Sequence, residues 1–347
     1  MDIGVQRVAG VPMTRRVALR VAGVLMLPLS AGAQQVAKVY RVGFLSMGVP
    51  DPTGGPAAGA DLRPLEAFKQ GLLDAGWVEG RNLVIEYRLA EGRPDRLATM
   101  AEDLASRKVD LIAATPTPAA AAALKATRTI PIVGMGLVEP VALGLVVSLA
   151  NPGGNLTGLT YSVGSDIYGK QLQLLKQMVP QARRVALLVN IGSSPAMPLI
   201  VDSVKTAAAS LGLQLQVVPA RGPDDFDAAF ASMAAEKAGS LLVMGDSVFF
   251  YHRLRLNELA MKHRLPSMST QGQWAEAGGL IAYGPNMSDL FRRGAGYIDK
   301  ILRGAQPRHL PIEQPTKFEL FINLKTAAAL GLTVPQPMLL SADQVIR

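Results

Sequence analysis

From residue 39 almost to the end of the chain, short apolar runs alternate with longer amphipathic segments. This rhythm is the strongest constraint on the fold. A strand covered on both faces is apolar throughout, and the helix that covers it carries one apolar stripe. The alternation therefore predicts βαβ units and parallel sheets. Residues 39–46 read as the first strand, and 62–75 as a helix with Leu65, Phe68, Leu72 and Leu73 on one face. Strands are expected at 84–89, 110–114 and 131–134, with helices at 95–106 and 118–127. The stretch 151–162 (NPGGNLTGLTYS) then breaks the pattern. Gly and Pro at this density interrupt regular structure, so the first passage between lobes is placed here.

The rhythm resumes with helices at 167–178, 196–211, 226–236 and 251–263, and strands at 184–189, 213–218, 241–244 and 280–283. A helix at 289–302 is expected to return to the first lobe, followed by a final strand at 317–322 and a helix at 324–330. The expected division is 34–157 with 285–325 for the first lobe, 158–284 for the second, and 326–347 as a C-terminal segment. Passages that are few, short and Gly-interrupted act as hinges.

A chain of 347 residues, 49% of them hydrophobic, can bury two such cores. The net charge of +8 is dispersed, and aromatics make up 5%, so nothing resembles the dense basic stripe of a nucleic-acid surface. The chain has no cysteine, which excludes disulfides, thiolate metal sites, a Cys nucleophile and a lipidated Cys anchor. His252, His263 and His309 lie far apart and match no metal-binding spacing. Neither a metal nor a cofactor is expected.

The N-terminus has the three parts of an export signal. Arg15, Arg16 and Arg20 precede an uncharged apolar run from Val21 to Leu29, and Ala31-Gly32-Ala33 follows as a small-residue cleavage pattern. The run is shorter than the roughly 20 residues that span a bilayer. Residues 1–33 are therefore expected to be a signal peptide cleaved near Ala33. No membrane insertion is expected, and the mature protein is placed in the periplasm. Thr14-Arg15-Arg16 also resembles the start of a twin-arginine signal.

Catalytic motifs were tested against the residues. Gly164-Ser165-Asp166-Ile167-Tyr168-Gly169-Lys170 nearly spells a phosphate-binding loop, but Gln171 stands where Ser or Thr would hold magnesium. Gly245-Asp246-Ser247-Val248-Phe249 lacks the second glycine of a nucleophile elbow. The glycines around 134–136 and 153–154 do not form a dinucleotide fingerprint. No acid, base and nucleophile converge, so the chain is expected not to be an enzyme and no residue is assigned as catalytic.

In open parallel sheets, ligands sit beyond the carboxyl ends of the strands. That rule nominates Ser46 and Met47 after the first strand, Thr115 and Thr117 after the third, and Gly136 and Glu139 after the fourth. Tyr161 lies at the expected passage. Asn190, Ser193 and Ser194 follow one second-lobe strand, Asp246, Ser247 and Phe249 another, and Tyr283 lies on a third. Hydroxyls and amides in this set suit a carboxylate, Asp246 or Glu139 an ammonium group, and the aromatic side chains an apolar body. Thr117 is also expected to cap the next helix.

Several long blocks resemble one family. They are the RVGFLS strand after AQQ, GLLDAGWVEGRNLVIEYR (71–88), VEPVALGLVVSLANPGGNLTGLT (138–160), EAGGLIAYGP (276–285) and PTKFELFINLKTAAALGLTVP (315–335). Together they run from about residue 36 to 345 and are similar to the ABC-transporter substrate-binding family of the tryptophan/tyrosine type. The resemblance implies a type I periplasmic-binding fold: two doubly wound parallel-sheet lobes joined by three hinge crossings. It also implies a small-molecule solute in the cleft and, as partners, an ABC permease and its ATPase, with the receptor itself a monomer. Glu139-Pro140 stands where the family often has Asp-Pro. A sensor protein feeding a membrane receptor shares these features and is the alternative reading. A cytoplasmic repressor would need a helix-turn-helix where the export signal stands.

Overall fold

The structure, a computed structural model, describes residues 1, 2, 4, 10, 38–48, 62–161, 166–193 and 197–347; the basic, apolar and cleavage parts of the expected export signal (15–33) and Ser194 lie outside the described residues. The first half of the chain lays down β1 (Tyr40–Ser46), α1 (Arg63–Asp74), β2 (Leu83–Leu89), α2 (Leu97–Ser106), β3 (Leu111–Thr115), α3 (Thr117–Ala126), β4 (Ile132–Leu137) and β5 (Leu156–Thr160). The second half adds α4 (Asp166–Met178), β6 (Arg184–Val189), α5 (Met197–Ser210), β7 (Gln214–Pro219), α6 (Pro223–Ala235), β8 (Ser240–Val243), α7 (Ser247–Tyr251), α8 (Arg253–Lys262), β9 (Ser267–Ser269), α9 (Gly272–Glu276) and β10 (Ile281–Pro285). The chain ends with α10 (Met287–Leu302), β11 (Phe318–Asn323), α11 (Leu324–Leu330), α12 (Gln336–Ser341) and β12 (Gln344–Ile346).

These strands form two sheets. The first has the order β2-β1-β3-β4-β5 and is parallel throughout. The second has the order β12-β11-β10-β9-β8-β6-β7, with β10 and β11 its one antiparallel pair. Side chains divide between the faces with the strand period of two. Along β3, Leu111 and Ala113 join one core, with Phe68, Leu72 and Ile298, while Ile112 and Ala114 join another, with Leu104 and Ala120. Along β6, Val185, Leu187 and Val189 pack with Leu172 and Val204, and Ala186 and Leu188 with Phe226 and Phe230. Each sheet is thus a buried layer between helices, which explains the continuous apolar runs.

Three passages join the sheets. The first leads from β5 to α4, and the second from β10 to α10, whose residues Leu290, Phe291 and Ile298 pack on the first sheet. The third leads from α10 to β11. It runs alongside β5, where the Glu313 amide donates to the Gly158 carbonyl (3.0 Å) and the Thr160 amide to the Glu313 carbonyl (2.8 Å). Just before the second passage, a Cβ on Gly284 would lie 1.9 Å from the Thr270 carbonyl oxygen, so no side chain fits there.

The structure corrects the sequence reading at several points. The first passage does not start at 151 but after Thr160, because Leu156–Thr160 is a fully buried strand pairing with β4. The strand escapes notice because Gly158 is packed against the Gly134 backbone and carries no side chain to complete the pattern. The first-lobe assignment of 285–325 fails at its end, since β11 closes on β10 in the second sheet. The helix expected at 251–263 is divided near His252 into α7 and α8, and β9 and β12 were not anticipated.

Candidate functional site

The carboxyl ends of the two sheets face a common cleft, and several contacts cross it. Val138 and Leu143, in the loop after β4, pack against the second-sheet core that includes Leu172 and Leu320. Tyr161, directly after β5, brings its hydroxyl beside Thr270 and Gln271, which follow β9. Arg63 at the start of α1 reaches Glu276 at the end of α9, and Gly92 after β2 lies against the ring of Tyr251.

The first lobe offers polar groups that are not already engaged. Glu139 is half-buried at a φ of 45°, in the left-handed region that costs a non-glycine residue energy, and its carboxylate makes no ion pair among the described residues. Glu139 and Tyr161 both lie close enough to Tyr168, on α4, to raise its phenol further after burial has raised it. Burial likewise pushes the Tyr161 hydroxyl up to about 12, so both phenols stay protonated at neutral pH. The Tyr161 hydroxyl is buried and makes no well-formed hydrogen bond, although Thr270 and Gln271 lie near it. Gly136, at a φ of 81°, keeps the wall beside Tyr161 and Met287 open. Thr115 ends β3, largely buried.

Three of the groups nominated in the second lobe satisfy one another. Asp246 caps α7: its Oδ1 accepts from the amides of Val248 (2.8 Å) and Phe249 (3.1 Å), and its Oδ2 from Asn190 Nδ2 (3.3 Å). The Ser193 hydroxyl donates to the Asn190 carbonyl at 2.8 Å. Burial raises the Asp246 carboxyl above its ordinary value and outweighs the amides of Phe249 and Val248 that favour its charge. Ser247 opens α7 beside this network, and Tyr283 stacks on Phe318 with ring centroids 5.8 Å apart.

Some nominated residues serve the fold instead. Phe249 points into the core against Phe226 and is 1% exposed, because the cap at Asp246 turns that face of α7 inward. Met47 is buried with Leu45 and Leu97. The Ser46 hydroxyl accepts from the Gly48 amide. Thr117 is the first residue of α3 rather than its cap, and its hydroxyl accepts from the Val138 amide at 2.8 Å, which anchors the loop carrying Glu139. Sequence reasoning missed Tyr168, Thr270, Gln271 and Met287. The strand-end rule would have named Thr270 and Gln271 had the polar three-residue β9 been recognised.

Two further features need placing. A depression of about 560 Å³ at the amino ends of β6–β8 is edged by Arg183, Lys237 and Arg264. Lys237 and Arg264 stand just beyond the C-termini of α6 and α8, where a cation offsets the helix dipole, so the basic rim has a structural cause. Among the described residues, no group of three His, Cys, Asp or Glu could hold a metal ion, and no helix is long and apolar enough to cross a membrane.

Two sheet-and-helix lobes, three passages and a cleft at the strand ends define the class: a type I periplasmic-binding fold. Residues 59–346 match the family described as ABC transporter substrate binding protein, and the chain belongs to that family, whose members bind solutes and do not transform them. The chain is 27% identical over 280 residues to a tyrosine-binding protein of Clostridioides difficile (strain R20291), covering 81% of this chain and 78% of that protein. It is similar to a Streptococcus pneumonia ABC domain in complex with L-Trp (TM-score 0.80, 24% identity, 89% of this chain and 100% of that one). It is also similar to a ligand-free, open substrate-binding protein with adhesive properties from Clostridium difficile (TM-score 0.65, 26% identity, 89% and 99%).

Proposed function

We propose that this protein is the periplasmic receptor of an ABC importer and that its cleft takes one aromatic, amino-acid-like solute. The observation that carries the solute class is the half-buried carboxylate of Glu139, which lies beside Tyr168 and forms no ion pair among the described residues. An ammonium group is the natural counter-charge for a half-buried carboxylate that forms no ion pair with the protein. Thr115 and the loop amides beyond the strand ends suit the solute's carboxylate, while Tyr161 and Tyr283 suit its ring. The relatives named for tyrosine and bound to L-Trp point the same way.

The mechanism is lobe closure. The solute touches both strand-end surfaces only when the lobes meet, so it favours the closed form by its difference in affinity for the two states. The closed monomer then presents itself to the permease and its ATPase. The test is calorimetric titration of the purified protein with L-tyrosine, L-tryptophan and L-phenylalanine, against L-leucine, L-glutamate and L-lysine. Saturable binding near one solute per chain, strongest for an aromatic member, is expected. Heat only from a non-aromatic solute overturns the solute class.

A further inference from the structure

Apart from the loop after β4, two contacts between the lobes among the described residues belong to no passage, and these differ in chemistry. Arg63, in the first turn of α1, forms a two-pronged ion pair with Glu276 at the end of α9: Nη1 donates to Oε1 at 2.9 Å and Nη2 to Oε2 at 2.8 Å. Paired parallel hydrogen bonds of this kind fix orientation as well as distance. The pair also edges a pocket of about 280 Å³ whose other walls include Gln271, Asn286, Met287 and Glu319, beside the second passage. The other contact lies at the far edge of the first sheet. β2 stands four strands from β5, about 19 Å at the usual spacing. Gly92 follows β2 at a φ of 71°, and a Cβ built on it would meet Cγ of Tyr251 at 3.6 Å and both Cδ atoms at 3.8 Å. The glycine therefore lies flat on the ring, and Tyr251, otherwise at the surface, is left 49% exposed.

We infer that these contacts form a two-point clasp that sets how far the lobes close: an ionic strap beside the passages and an aromatic rest at the distant edge. The inference rests on the reading that the lobes move, not on which solute enters. Arg63 and Glu276 are both partly exposed, with 51% and 40% of their side-chain surface open, so salt reaches the strap. The Tyr251–Gly92 contact carries no charge and is insensitive to salt. The strap alone is expected to shift the closed-to-open ratio about two- to fivefold, the range of an exposed but well-aligned pair.

The absence of native cysteine makes the test clean. Ser106→Cys with Ser210→Cys places one thiol at the exposed end of a first-lobe helix and one at the exposed end of a second-lobe helix. Nitroxide labels there report the interlobe distance distribution by pulsed electron resonance, with no solute required. In this background Glu276→Gln is expected to enlarge the long-distance fraction and to abolish its dependence on sodium chloride between 0.05 and 0.5 M (about 10-fold in ionic strength). Tyr251→Ala is expected to enlarge that fraction at every salt concentration. The swap Arg63→Glu with Glu276→Arg is expected to restore the wild-type distribution, and melting curves verify that each variant is folded. Distributions unchanged in both Glu276→Gln and Tyr251→Ala, or a wild-type salt response that survives in Glu276→Gln, would overturn the clasp. Either result leaves the solute titration above unaffected.

Discussion

The two lobes line the same cleft in different ways. Three of the second lobe's nominated groups are spent on one another: Asp246 holds the amides of α7 and the side chain of Asn190, and Ser193 holds the Asn190 backbone. Among the described residues, the first lobe leaves Glu139 without an ion pair, on backbone held in an unfavourable region, and the adjoining passage leaves the Tyr161 hydroxyl without a well-formed hydrogen bond. Satisfied networks rigidify a surface, whereas unsatisfied groups are where a ligand gains most. Under the proposed function, this difference gives the first lobe and the passage the part of recognition and the second lobe that of a rigid wall.

The largest expected effect separates core from cleft. Phe249→Ala removes a ring buried against Phe226 and should lower unfolding free energy by about 3–4 kcal/mol in urea melts, with solute affinity of the folded fraction unchanged. A large affinity loss at constant stability would return Phe249 to the cleft.

Asp246→Ala comes next. It removes the α7 cap and should cost about 1–2 kcal/mol. The pH dependence has a definite sign. The Asp246 carboxyl is raised in the folded protein, so the folded state holds its proton more tightly than the unfolded chain does. The stability of the wild type relative to Asp246→Asn should therefore fall as pH rises from below the ordinary carboxylate range through the raised folded value. An advantage that grows with pH would contradict burial as the dominant influence.

Tyr161→Phe should leave stability unchanged or raise it by up to about 1 kcal/mol, because the hydroxyl it removes makes no good hydrogen bond. Its thermal midpoint and its affinity should move in opposite directions. A parallel loss of both would make Tyr161 a structural residue.

The smallest effect contrasts two left-handed residues. Lys237, at a φ of 58°, ends a helix far from the cleft, and Lys237→Gly should add a few tenths of a kcal/mol with affinity untouched. Glu139→Gly should gain similarly in stability but lose solute binding, as a strained residue kept for recognition does.

How much of this could be read in the sequence differs between the lobes for the same physical reason. The apolar runs of β1, β3 and β6 are buried on both faces, so their composition alone announces them. β5 hides behind Gly-Pro punctuation and a glycine forced by the Gly134 backbone. β9 is the polar tripeptide Ser-Met-Ser, and β11 joins its sheet through a non-local antiparallel pairing that local pattern cannot show. The strand-end rule nominated Thr115, Glu139 and Asn190, which lie at or just beyond the carboxyl ends of β3, β4 and β6, because topology alone decides that position, whereas Tyr161 was named only for the expected passage. It misjudged Phe249 because a five-residue helix is too short to reveal its inward face.

Paired calorimetric titrations of Glu139→Gln and Asp246→Asn, using the solute that the wild type binds most tightly, test the division of labour directly. The account predicts a dissociation constant raised about tenfold or more for Glu139→Gln, equivalent to about 1.4 kcal/mol, and changed less than about threefold for Asp246→Asn. The opposite ranking, with Asp246 decisive and Glu139 silent, would contradict it.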